Sequence, residues 1–129
     1  MACVSRGTTS PDKLRTSDAA RIIRERRVSV LLFPEGGRSA DDTLQEFREG
    51  AAYIAIKSGV PAVPIAMTGT REVLKMGSMQ IISGIVELRI GDPIPTANLT
   101  LKDRTNLNQT LREKVALLLE STAEPQKTR

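Results

Sequence analysis

The feature that most constrains this chain is a pair of short apolar runs on either side of a helical pattern. "VSVLLF" (28–33) is almost wholly apolar and rich in β-formers. Such a run fits a strand covered on both faces, as in a parallel sheet. "VPAVPIAMTG" (60–69) is the second strand candidate, with Pro61 and Pro64 marking entry positions or an edge. Between them Phe47, Ala51, Ile54 and Ala55 share a helical face, and Gly59 is a natural C-terminal stop. Thr43 and Glu46 have capping-box spacing and predict the start of that helix.

The rest of the chain extends the alternation. Residues 2–5 read as the end of a strand. Ser10 and Pro11 open a first helix that runs to about Arg27. Residues 70–84 are less regular, broken by Gly77 and Gly84, and "IVELRI" (85–90) alternates like a strand with one wetter face. From about Asp103, Leu107, Leu111, Val115 and Leu118 form the stripe of a final helix. Helices alternating with strands predict an α/β domain, a layered sheet with flanking helices. The chain has 129 residues, one domain's worth, and its two Phe, one Tyr and no Trp leave aliphatic residues to fill the core.

Composition excludes several classes of function. There is no histidine, which removes the commonest general base and metal ligand and every Ser-His or Cys-His pairing. With Cys3 as the single cysteine, neither a zinc site nor an internal disulfide is expected, and a reducing compartment is. No apolar stretch reaches the ~18 residues of a membrane span. The net charge of +4 favours anionic partners, but the near absence of aromatics and of a basic arm argues against nucleic acid.

Residues 33–39, "FPEGGRS", end the first apolar run. Ligands of α/β sheets bind beyond the carboxyl ends of strands. Gly36 and Gly37 free the backbone to turn N–H groups toward an anion, and Arg38 adds a fork suited to phosphate. Glu35 would orient that arginine or accept from a substrate hydroxyl. On local physics an ordinary tight turn with its charges in water is an equal reading.

The wider pattern resembles the phospholipid/glycerol acyltransferase family, which includes the 1-acyl-glycerol-3-phosphate acyltransferases. Residues 33–39 match a family block close to FPEGTRS, with Gly37 in place of Thr. Residues 60–66 match a Val-Pro-rich strand, and 47–50 read FREG where the family has a Phe-Lys-Lys-Gly-like segment. The resemblance covers roughly residues 28–95. It implies a partial glycerol-3-phosphate acyltransferase-like domain over 1–123 and a frayed tail over 124–129. It also implies acyl transfer from acyl-CoA or acyl carrier protein to a lysophospholipid such as 1-acyl-glycerol-3-phosphate, with no metal or redox cofactor. Arg6 matches the arginine of a preceding block, and Arg6, Glu35, Gly36, Gly37 and Arg38 inherit the holding of the glycerol phosphate. Arg48 of FREG is a further phosphate candidate.

The family's base lies in a His-x4-Asp block upstream of these, and a positioned base contributes ~10²–10⁴-fold. With no histidine in the chain, no catalytic residue is assigned. A truncated and inactive portion of an acyltransferase is the expectation, favoured by a start in mid-pattern. The alternatives are a non-catalytic phosphate- or lipid-binding domain and a subunit whose missing block comes from another chain. A sheet without its first elements should expose apolar surface. The expected location is cytoplasmic, with peripheral contact at the inner membrane face. Met67, Met76 and Met79 are expected to pack, an acyl-chain tunnel being the sharper reading.

Overall fold

The computed structural model describes residues 16–37, 43–75 and 77–121. Helix α1 (Thr16–Arg26) and helix α2 (Gly50–Ser58) are followed by strand β1 (Ile65–Thr68), short helix α3 (Thr70–Val73) and strand β2 (Glu87–Ile90). A single 3-10 turn (Leu101–Asp103) leads into the long helix α4 (Arg104–Glu120).

Helix α2 is the centre of the fold because it is apolar up to Lys57 and Ser58 in its last turn. Its small Ala52 and Ala55 let other helices approach closely. On one side Ile54 meets Ala19 and Ile23 of α1, with Val30, Tyr53 and Val60 around them. On the other, Ala52, Ala55 and Ile56 pack on Leu107 and Leu111 of α4, with Phe47 and Leu99 at the margin. The predicted α4 stripe therefore forms, and Leu118 ends it half-buried. Gly59 stops α2 as expected, at φ 71° with its N–H on the carbonyls of Ala55 and Ile56. Beyond it, buried Thr96 donates to the Val60 carbonyl at 2.6 Å and the Ala55 carbonyl at 3.1 Å, tying the 91–100 loop under the end of α2.

The described sheet has two strands, paired antiparallel with Ile65 opposite Ile90 and Met67 opposite Leu88. Pleating puts these four on one face and Ala66 on the other, where it is buried on the α4 side. The Ile65 face is largely open: Met67 is 44%, Leu88 54% and Ile90 65% exposed. Met79, expected to pack, is fully exposed, as no described element lies over it.

Two expected elements differ. Residues 28–33 form no strand among the described residues, and Val28, Leu32 and Phe33 are exposed rather than covered on both faces. The expected neighbouring strand, 2–5, lies outside the described residues, as do the Ser10–Pro11 helix start, Met76 and the 124–129 tail. Helix α2 begins at Gly50, not near Thr43, because the intervening backbone is bonded elsewhere. The Thr43 hydroxyl accepts from the Gln45 side chain at 3.1 Å instead of capping a helix. A capping box does form at the start of the last helical segment, where Thr100 and Asp103 bond reciprocally.

Candidate functional site

The FPEGG stretch is a turn, and it is tied to a second segment. The Gly36 N–H donates to the Phe33 carbonyl at 3.0 Å, with Pro34 in the second position of the turn, where its fixed φ fits. Gly36 has φ +74°, a conformation glycine adopts without strain. It also admits a neighbour: a Cβ at Gly36 would come within 2.8 Å of the Arg48 guanidinium carbon. Gly37 lies outside the left-handed region, and a side chain there would meet open space. The turn has therefore kept a backbone that would also admit the threonine of FPEGTRS.

The second segment, 44–49, has no helix or strand but is bonded on two sides. From the turn, Glu35 Oε2 accepts the Gln45 N–H at 3.0 Å and the Pro34 carbonyl accepts the Arg48 N–H at 2.8 Å. Glu35 is thus used to hold backbone. From α4, Arg112 donates to the carbonyls of Leu44 at 3.0 Å and Gln45 at 3.2 Å, and Asn108 donates to the Phe47 carbonyl at 2.8 Å. The Glu49 carboxylate accepts from Thr105 Oγ1 and Arg104 Nε, both at 2.8 Å. The Thr105 bond first, then Arg104, holds that carboxyl below the ordinary glutamate range.

These ties put Arg48 at a cleft of about 300 Å³ between α1, α2 and the 30–34 stretch. Its walls include Val30, Leu32, Phe33 and Ile54, and Arg48 is the one charged side chain among the described residues that line it. Gly50 and Ala51, opening α2, lie beside the arginine. No carboxylate among the described residues pairs with the Arg48 guanidinium. Arg48 is exposed, so the cleft pairs a solvent-accessible cation with apolar walls, a polarity that suits an anionic amphiphile.

Of the residues singled out in the sequence, Glu35, Gly36 and Arg48 come together, with Gly37 at the exposed side of the turn. Arg6 and Arg38 lie outside the described residues. The polar row Arg104, Thr105, Asn108 and Arg112 was not anticipated; its four-residue spacing beside the apolar stripe was the available signal. No group of three or more metal-ligating side chains occurs among the described residues, and none of their helices is long and apolar enough to cross a membrane.

Residues 2–68 match a family model described as acyltransferase. Among curated proteins, the chain is 32% identical over 110 residues to human 1-acyl-sn-glycerol-3-phosphate acyltransferase alpha, covering 80% of this chain and 39% of that one. It is 48% identical over 67 residues to the chloroplastic 1-acyl-sn-glycerol-3-phosphate acyltransferase BAT2 of Brassica napus, 51% of this chain and 20% of the relative. Among solved structures it is similar to the 1-acyl-sn-glycerophosphate acyltransferase PlsC of Thermotoga maritima, with TM-score 0.74 and 25% identity over 88% of this chain and 46% of that one. The chain thus spans two-fifths or less of the curated relatives just described. The same likeness supports the α/β acyltransferase-type fold, of which the described strands are a part.

Proposed function

The chain belongs to the acyltransferase family, and from that premise we propose that it provides the acceptor-binding part of an acyl transfer to a lysophospholipid such as 1-acyl-glycerol-3-phosphate. The observation that carries this reading is Arg48, exposed and lying against Gly36 of the turn, among the lining of a cleft with apolar walls. The acceptor's phosphate would pair with Arg48, joined by Arg6 and Arg38, and its acyl chain would lie along Val30, Leu32 and Phe33. Glu35 keeps the Arg48 segment against the turn. The relatives' names support the choice of acceptor.

In the transfer, the acceptor hydroxyl oxygen attacks the thioester carbonyl of acyl-CoA or acyl carrier protein. A C–O bond forms, the C–S bond breaks, and the thiol leaves with the proton. That step wants a base on the hydroxyl, and the chain has no histidine. The 129 residues by themselves therefore bind acceptor without turning it over, at the inner face of a membrane where lysophospholipid is found.

Calorimetry with glycerol 3-phosphate tests the reading. Saturable binding is expected, weakened about tenfold in Arg48→Ala, the scale of one charge-assisted hydrogen bond. Binding unaffected by Arg48→Ala would remove the site. Incubation with lysophosphatidic acid and acyl-CoA should yield no product above a protein-free control; product that disappears in Glu35→Ala would overturn the inactive reading.

A further inference from the structure

We propose that helix α4 is a clamp whose Asn108 and Arg112 are positioning residues for Arg48, and that Arg104 and Thr105 keep the Glu49 carboxylate off the cleft. The inference rests on the phosphate-binding reading of Arg48 and adds to it the device that holds the arginine.

The 44–49 segment makes no helix or strand, so its backbone would ordinarily be solvated and mobile. Instead its carbonyls at Leu44, Gln45 and Phe47 are taken by two α4 side chains. Arg104, Asn108 and Arg112 are four residues apart and share a face of α4. Leu107, Leu111 and Val115 form the buried face next to it. The packing of the apolar row thus fixes the height and rotation at which the polar row meets the segment. Arg48 sits between two held points, the Phe47 carbonyl and the Glu49 side chain, and its own N–H is fixed to Pro34.

Charge is sorted by the same contacts. Glu49 directly follows Arg48, and a free carboxylate there would compete with a phosphate for the guanidinium. Both Glu49 oxygens are occupied from α4, one by Thr105 and one by Arg104. Arg112 is turned to the backbone carbonyls of Leu44 and Gln45, and among the described residues lining the cleft Arg48 is the charged side chain.

The test is a double-mutant cycle on glycerol 3-phosphate binding, read by calorimetry on the full chain. Asn108→Leu and Arg112→Ala should each weaken binding about 2- to 10-fold, the range of a lost hydrogen bond. In an Arg48→Ala background neither should weaken it further, because both act through that side chain. Exchange of the Arg48 amide should speed up in each variant without ligand. If Arg112→Ala does not fold, Arg112→Lys keeps one donor and should bind between the unaltered chain and Asn108→Leu. Equal weakening with and without Arg48, or no weakening at all, overturns the clamp and leaves the binding reading standing. Failure of the unaltered chain to bind glycerol 3-phosphate overturns the binding reading, and the clamp's purpose with it.

Discussion

Residues 44–49 and residues 78–86 are both irregular stretches that lead into a regular element, yet they are held in opposite ways. The first is bracketed by Glu35 of the 33–37 turn, which accepts the Gln45 N–H, and by α4 side chains, which donate to the Leu44, Gln45 and Phe47 carbonyls and to the Glu49 carboxylate. The second has the Ile82 N–H on the Val73 carbonyl, a bridge between Leu74 and Ile81, and a local bond from Gln80 to Ser78. Its large apolar residues face outward, with Ile81 78% and Ile85 88% exposed. Order in a loop follows from satisfied polar groups on a packed scaffold rather than from secondary structure. The clamped stretch borders the cleft, and the bare stretch continues into the open face of the sheet.

The largest expected difference between the two regions is in the energy of side-chain removal. Leu111→Ala, beneath the clamp, should cost about 2–5 kcal/mol in chemical denaturation, since it removes a buried side chain and leaves a cavity. Leu88→Ala, on the open face, should stay within about 0.5 kcal/mol. A costly Leu88→Ala would mean that something covers that face in solution.

Glycine replacements come next. At Gly69, φ is +82° and an added Cβ would clash with the Ile85 carbonyl oxygen, so Gly69→Ala should destabilise by about 1–3 kcal/mol. Gly37→Thr meets open space at an unstrained φ and should leave stability unchanged or raise it by up to about 1 kcal/mol. Thermal unfolding of the two variants distinguishes a bare region pinned by one close backbone approach from a turn with room to spare.

The smallest effect is one of pH. The Glu49 carboxyl is held below the ordinary range, mostly by Thr105 and then by Arg104. A depressed carboxylate contributes stability that is present above its unfolded pKa and lost as the pH falls through the folded one. Acidification below the ordinary glutamate range should therefore lower the amide protection factors within 44–49, taken relative to the intrinsic rate at each pH, before the α2–α4 core opens. In Thr105→Val that acid step should shift toward higher pH. Protection factors there that do not change with pH would detach Glu49 from the clamp.

Much of the scaffold was legible because it depends on local periodicity. The stripe of Leu107, Leu111 and Val115, the stop at Gly59 and the strand ending at Ile90 all follow from spacing or from a single residue's φ preference. The cleft was legible in part. FPEGG and FREG identified the two segments that meet, and Arg48 was among the candidates. What joins them was not visible, since Glu35 reaches Gln45 across 10 residues, Asn108 reaches Phe47 across 61 and Arg112 reaches Leu44 across 68. The same long-range bonds explain the misplaced start of α2. Thr43 and Glu46 had the local spacing of a cap, but Gln45 and Phe47 give their backbone groups to Glu35 and Asn108 instead of to a helix. Residues 28–33 form no strand among the described residues: an apolar, β-preferring run describes a strand's readiness to pair, and its expected partner, 2–5, lies outside those residues.

The central claim is that phosphate binds where the FPEGG turn and the clamped segment meet. Its most direct test is an NMR titration of the unaltered chain with glycerol 3-phosphate, following every backbone amide. The account predicts saturable shifts concentrated in residues 33–37 and 44–51, with residues 87–90 of β2 unmoved. Shifts centred on the β1–β2 face, or none in the turn and the 44–51 stretch at saturating ligand, would contradict it.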